Sequence, residues 1–177
     1  MQIKRYLIEV AESVVDSAWL LGRLNASQLL PHVALEEFED ALVLELRDDK
    51  NGEIEALLGT YHPELCLRDE ADLLADIGPL LSSSAFFADL PDDDPLVLRS
   101  RNALLKLGAL WHSDLRLLDL LRKLAAHPRK KVRAAVIAVA SRVGYQLFLL
   151  ELWAGEADPV LRRILASVTA FTQGPAS

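Results

Sequence analysis

Apolar positions near the start of the chain recur at helical spacing. Leu7, Val10, Ala11, Val14, Ala18 and Leu21 fall on one stripe between Tyr6 and Leu21, with Glu9, Glu12 and Asp16 off it. The pattern predicts an amphipathic helix of the kind that covers the end of a helical stack. At Ala41 to Leu46 two readings compete. Phe38, Leu42 and Leu46 are four apart and predict a helix, yet the following Asn51-Gly52 is the favoured pair of a tight hairpin turn and would suit a strand. Few β-branched residues follow in Glu53 to Leu58, which favours helix, turn, helix. Further along, Leu115, Leu118, Leu121, Leu124 and Ala125 make one helical face, and Leu147, Leu150 and Trp153 begin another after Gly144.

These helical segments are punctuated at a regular interval. Pro31, Pro63, Pro95, Pro128 and Pro159 are separated by 32, 32, 33 and 31 residues, a period typical of stacked helical repeats. Proline suits the first turn of a helix, where its missing N–H has no intrahelical partner, so each marks a helix start. His62, Asp94, His127 and Asp158 precede four of the five, and Asp in that place predicts an N-cap. An aliphatic residue followed by Arg recurs shortly after four of the prolines, as Leu67-Arg68, Leu98-Arg99, Val132-Arg133 and Leu161-Arg162; the first unit has Leu35-Glu36 instead. Ala134, Ala135, Val136, Ala138, Val139 and Ala140 then supply small apolar side chains that let helices approach closely before Gly144.

The run His127-Pro128-Arg129-Lys130-Lys131-Val132-Arg133-Ala134-Ala135 resembles the second-helix start of a short HEAT-like repeat, and Asp158-Pro159-Val160-Leu161-Arg162-Arg163 repeats it more loosely. The resemblance covers about residues 94–170 and implies an all-α fold, a short right-handed α-solenoid of about five helix pairs with an irregular N-terminal part. It also implies that Arg99, Arg133 and Arg162 tie neighbouring repeats together. Residues 1–81 are read as an acidic helical part with its capping helix, 82–94 as a linker and 95–172 as the repeats, all within a single compact unit. A tetratricopeptide reading fails, because Leu107-Gly108 lies too close to Pro128 and the expected aromatic positions are mostly Leu.

Charge changes this picture more than bulk composition does. The 177 residues are 51% hydrophobic and 25% charged, which excludes a disordered chain. Lone Cys66 cannot form an intrachain disulfide, and acidic residues interrupt the first apolar stretch, so neither a secretory signal nor a membrane span is expected and a cytoplasmic location is. The net charge of −7 conceals an imbalance: six Lys and Arg face 21 Asp and Glu up to Val97, a balance of −15, while 13 face five from Leu98 onward, +8. Such asymmetry suits steering of a charged partner or self-association, though solvated helix faces are an equally good account.

Candidate chemistry is sparse. Neither a Walker loop nor Gly-x-Gly-x-x-Gly occurs, and no zinc-type His or Cys spacing does. His62 and Cys66 are four apart, but Pro63 puts His62 at a helix entry, so a turn histidine and a buried thiol are expected rather than a metal site. Trp111-His112-Ser113-Asp114 has the residue types of a triad, yet adjacent turn positions cannot relay a proton, and Ser113 or Asp114 is expected to cap a helix. Asp92, Asp93 and Asp94 read as a solvated acidic turn, and Trp19, Trp111 and Trp153 as core. The expectation is a non-enzymatic protein-binding module (adaptor, scaffold or inhibitor) with no cofactor or metal. Its contact residues would be basic Arg122, Lys123, Arg129, Lys130 and Lys131, and an acidic helix bearing Glu36, Glu37, Glu39 and Asp40. Alternatives are nucleic-acid binding through the basic patch, against which the net charge argues, and a HEAT-like lyase or glycosylase, for which no constellation is present.

Overall fold

A computed structural model describes residues 4–9, 17–38, 41–46, 52–53, 56, 67–82 and 85–170. The described chain is mostly helical with one small sheet, and it falls into two compact units, Met1–Leu73 and Leu74–Ser177. None of its described helices is long and apolar enough to cross a membrane.

The first unit carries the sheet. Strands β1 (Lys4–Glu9), β2 (Val33–Phe38), β3 (Ala41–Leu46) and β4 (Leu67–Arg68) lie in the order β2-β3-β1-β4, every neighbouring pair antiparallel. Because β3 is antiparallel to both β1 and β2, those two strands run parallel on either side of it. Helix α1 (Ser17–Ala26) connects them, a split β-α-β arrangement. Alternation decides which side chains face α1, while the register partners Leu7 and Val43 are buried on the other face. Tyr6 and Ile8 of β1 and Leu44 and Leu46 of β3 meet Leu20 and Leu24 of α1 and Leu29 in one cluster, bordered by Val33 and Leu35 of β2. On the opposite face Arg5 and Glu45 are register partners and pair at 3.0 Å.

The sheet overturns part of the sequence reading. Of the helix expected over Tyr6 to Leu21, residues 6–9 belong to strand β1 and 17–21 to helix α1, residues 10–16 lying outside the described residues, and Ala41 to Leu46 is a strand. Leu, Ala and Glu favour helix in isolation, but burial of alternate side chains against α1 outweighs that preference. Helix predominates in the described chain as expected, and this unit is where it departs from all-α. Pro31 opens a 3₁₀ turn (Leu30–His32) that leads into β2, and Pro63 lies outside the described residues.

The second unit is helical. Helix α2 (Glu70–Leu81), inside which the unit boundary falls, is followed by α3 (Ala85–Asp89), α4 (Pro95–Leu110), α5 (Leu115–Leu124), α6 (Lys130–Val143), α7 (Gln146–Gly155) and α8 (Pro159–Ala170). Residues 85–94, expected to be a linker within a single compact unit, are a short helix and a turn inside the second of two. Pro95 and Pro159 are the first residues of α4 and α8, and Pro128 stands two before α6. Caps fall where the sequence puts them. The Asp94 carboxylate accepts from the Leu96 N–H at 2.9 Å, Asp114 from Arg116 at 2.9 Å, and Asp158 from Val160 and Leu161 at 2.9 and 3.1 Å. Gly144 ends α6 with φ of 80°, the left-handed conformation that glycine adopts without strain.

Helix α6 is the centre of this unit, packing against α4, α5, α7 and α8. Its Val132, Ala135, Val136, Ile137, Val139 and Ala140 are all buried. The contact with α4 is so close that a Cβ added to Gly108 would lie 2.5 Å from Val139 Cγ1. Two expected faces are displaced. In α5 the buried residues are Leu117, Leu120, Leu121 and Leu124, leaving Leu115 outside, and in α7 they are Phe148 and Leu149, leaving Leu147, Leu150 and Trp153 exposed. Trp111 is core as expected; Trp153 is not.

Candidate functional site

The basic run at the start of α6 reads from sequence as a free patch, but most of it is engaged within the second unit. Arg129 is the N-cap residue of α6, and its side chain is only 10% exposed. One guanidinium nitrogen donates to the carbonyls of Phe87 at 2.6 Å, Ala88 at 3.2 Å and Leu90, the other to the Asp92 carboxylate at 2.8 Å, and the group lies over the Phe87 ring. Five donors in a planar fork suit this task, which closes the carbonyls at the end of α3 and along the turn into α4. Arg129 thus acts as a structural clamp within the second unit.

Arg133, one turn further along α6, reaches the other way. It pairs with both Glu156 oxygens at 2.9 and 3.3 Å and donates to the carbonyls of His127 and Pro128 at 2.9 and 3.1 Å. Lys130 adds a 3.1 Å pair with Asp158, the cap of α8. The first turn of α6 is therefore fastened to the turn between α3 and α4 by Arg129 and to the turn between α7 and α8 by Lys130 and Arg133. Positive charge at a helix N-terminus opposes the dipole, and these carboxylates and carbonyls neutralise that conflict. Arg99 ties α4 to Asp76 of α2 at 2.8 Å, while Arg162 lies over the Trp153 ring at 5.6 Å within one helix pair.

The ionisation of the junction follows from these contacts. Burial pushes the Glu156 carboxyl up, but the Arg133 hydrogen bond and charge and the N–H groups of Asp158 and Ala157 outweigh it and hold the group below its ordinary value. Asp158 is held down by the Leu161 N–H, with Lys130 and the Val160 N–H adding to it against a smaller effect of burial. His127 titrates below its usual value because it is partly buried and because Arg129 and Arg133 stand beside it. Its Nδ1 accepts from the Arg129 N–H at 3.1 Å, so the neutral ring carries its proton on Nε2. Burial, with the Asp114 charge, raises the Tyr145 hydroxyl.

Of the other expected contact residues, Arg122 makes only a long 3.9 Å exposed pair with Glu151 of α7, and Lys123 and Lys131 are exposed with no ion pair among the described residues. Glu36 and Glu37 are neighbours on strand β2 and not on a helix, and Glu39 and Asp40 fall outside the described residues. His62 and Cys66 also fall outside them, and no cluster of metal-ligating side chains occurs among the described residues. Trp111 to Asp114 form the turn before α5, where the Asp114 carboxylate holds the Arg116 guanidinium at 2.7 Å as well as its N–H.

Sequence reasoning misses a different feature. Phe86, Leu115 and Leu147 are 69%, 84% and 78% exposed, and each is the first or second residue of its helix, α3, α5 and α7 respectively. One large apolar side chain thus projects from the first turn of every other helix, each followed by a proline-associated helix. The 32-residue spacing of Leu115 and Leu147 carries the signal, but helical periodicity assigns both to buried faces. Comparison with protein-family models, curated proteins and solved structures finds no match.

Proposed function

We propose that the protein is a non-enzymatic protein-binding module built on a short HEAT-like α-solenoid. Support for the repeat comes from the packing of α4 on α6 and of α6 on α8, the three helices that Pro95, Pro128 and Pro159 introduce. Arg129 and Arg133, which fasten α6 to the turns on either side, supply the ties such a stack needs.

The observation that carries the binding reading is the exposed series Phe86, Leu115 and Leu147. A single exposed leucine is ordinary, but apolar side chains recurring at the first turn of α3, α5 and α7 give a partner several anchors. Lys123 and Lys131, both exposed, favour a partner with acidic groups around an apolar centre. Duplex binding has less support, since Arg129, Lys130 and Arg133 are committed to carboxylates or carbonyls. A cytoplasmic location belongs to the same reading.

Affinity capture from native extract tests it, comparing the unaltered protein with the triple variant Phe86→Ser, Leu115→Ser, Leu147→Ser. The expected outcome is a stoichiometric protein partner lost from the variant, whose thermal melt is unchanged because all three side chains are already exposed. The same proteins captured in equal amount by both forms would refute the reading.

A further inference from the structure

A groove of about 830 Å³ lies where the end of α2, helix α3 and the turn from α5 to α6 meet. Its size is that of a small-molecule site. Leu80, Leu81, Phe87, Leu124 and Pro128 make most of the wall, which is apolar. The ionisable side chains that line it are Lys123, His127 and Arg129, with no Asp or Glu among the lining residues, in a protein of net charge −7.

These cationic groups are not equivalent. Arg129 spends two guanidinium nitrogens on Asp92 and three carbonyls, and its Nε, which has no partner, is buried, so the side chain stiffens the wall. The His127 ring uses Nδ1 on the Arg129 N–H and keeps its one proton on Nε2, a neutral donor. Lys123 is exposed at the groove and has no ion pair among the described residues, so its ammonium is the group able to meet a charge. Its methylene stem can lie along apolar surface while the charged end stays hydrated until a ligand arrives. An apolar wall with donors and no acceptor carboxylate selects against cations and selects for an apolar body carrying an anionic head.

We propose that this groove binds a small amphipathic carboxylate of the medium-chain fatty-acid class, its chain against Leu80, Phe87 and Leu124 and its head at Lys123. None of Phe86, Leu115 and Leu147 lines the groove, and Lys123 is the one residue it shares with the proposed protein-binding surface.

Titration calorimetry with dodecanoate, below its micellar concentration, tests the assignment on the full chain. Saturable one-to-one binding is expected, with dodecyltrimethylammonium at least tenfold weaker. Lys123→Glu should weaken dodecanoate about tenfold and reverse the preference between the two heads. Ala88→Trp, which puts a ring into the groove from an exposed position, should abolish both. Arg142→Glu, exposed on α6 and outside the lining, should leave both unchanged. Circular dichroism of each variant verifies the fold. Absence of saturable binding by the unaltered protein, equal affinity for the two head groups, or dodecanoate binding indifferent to Lys123→Glu would overturn the proposal.

Discussion

Arg129 shows how a residue that reads as a binding group can be structural. Sequence gives its charge and its place at a helix start, where it conflicts with the dipole, but not the carbonyls of Phe87, Ala88 and Leu90 that lie about 40 positions away along the chain. A single ammonium cannot reach three carbonyls and Asp92 together, so Arg129→Lys should behave nearly as badly as Arg129→Ala. Each is expected to cost about 2–3 kcal/mol in a denaturant titration, the range for charged hydrogen bonds lost from a largely buried site. Substitution of exposed Lys131 by Ala should change the midpoint little. Gln28 is the other exceptional residue. It takes φ of 57° after α1, where the Leu29 N–H returns to the Leu24 carbonyl at 2.8 Å. Gln28→Gly should therefore raise stability by about 1 kcal/mol in the same titration, and a loss would mean that the left-handed turn is not what the chain adopts.

At the scale of elements, legibility follows how local the physics is. The Asp94 and Asp158 caps and the Gly144 stop are readable because each satisfies backbone groups within a few residues. Strands β1 and β3 are not, because their Leu, Ala and Glu residues suit a helix until pairing with neighbouring strands and burial, of Tyr6, Leu7 and Ile8 in succession and of Val43 and Leu44, override that preference. Helix α7 defeats periodicity for another reason: Leu147, Phe148, Leu149, Leu150, Leu152 and Trp153 surround it, and only packing selects Phe148 and Leu149 for burial. The α4–α6 contact gives a sharp test. Gly108→Ala drives a methyl group into Val139 and should cost about 1–3 kcal/mol; Val139→Ala in the same chain should restore much of it. Strict additivity of the two substitutions would contradict the close approach.

The junction of α6 with its neighbouring turns also sets a pH dependence. His127 occupies the place before proline that Asp94 and Asp158 occupy elsewhere, and like them it accepts from the N–H two residues on, at 3.1 Å. Since its folded value is depressed, its contribution is complete above the ordinary value of 6.5 and is lost as pH falls through the folded value. Glu156 and Asp158 are likewise depressed, so theirs are present above 4.5 and 3.8 and lost in stronger acid. The melting temperature should accordingly fall in two stages between about pH 7 and pH 3. His127→Asp should remove the first stage, because a carboxylate keeps the cap and gains from Arg129 and Arg133. A first stage that survives this substitution would assign it to another group.

For the whole molecule, the charge imbalance seen in the sequence is less available to partners than its size implies. Arg99, Arg129, Lys130 and Arg133 are paired with carboxylates of the second unit, and Arg122 faces Glu151. Beside exposed Lys123 and Lys131, the second unit leaves large apolar side chains in the open: Phe86, Leu115 and Leu147 at the starts of alternate helices, Leu81 at the end of α2, and Leu150, Trp153, Val160 and Ile164 on the final helix pair. Composition gives no warning of this, since 51% hydrophobic content fits a fully covered core equally well. The proposed recognition accordingly rests on the helix starts.

Photo-crosslinking in the native cell tests that claim most directly, with a benzophenone side chain introduced separately at Leu115, at Leu147 and at exposed Ala138 of α6 as the control. Adducts with one and the same protein from positions 115 and 147, and none from 138, are the result expected. Failure of 115 and 147 to yield a shared adduct, or an equal yield from 138, would contradict the account.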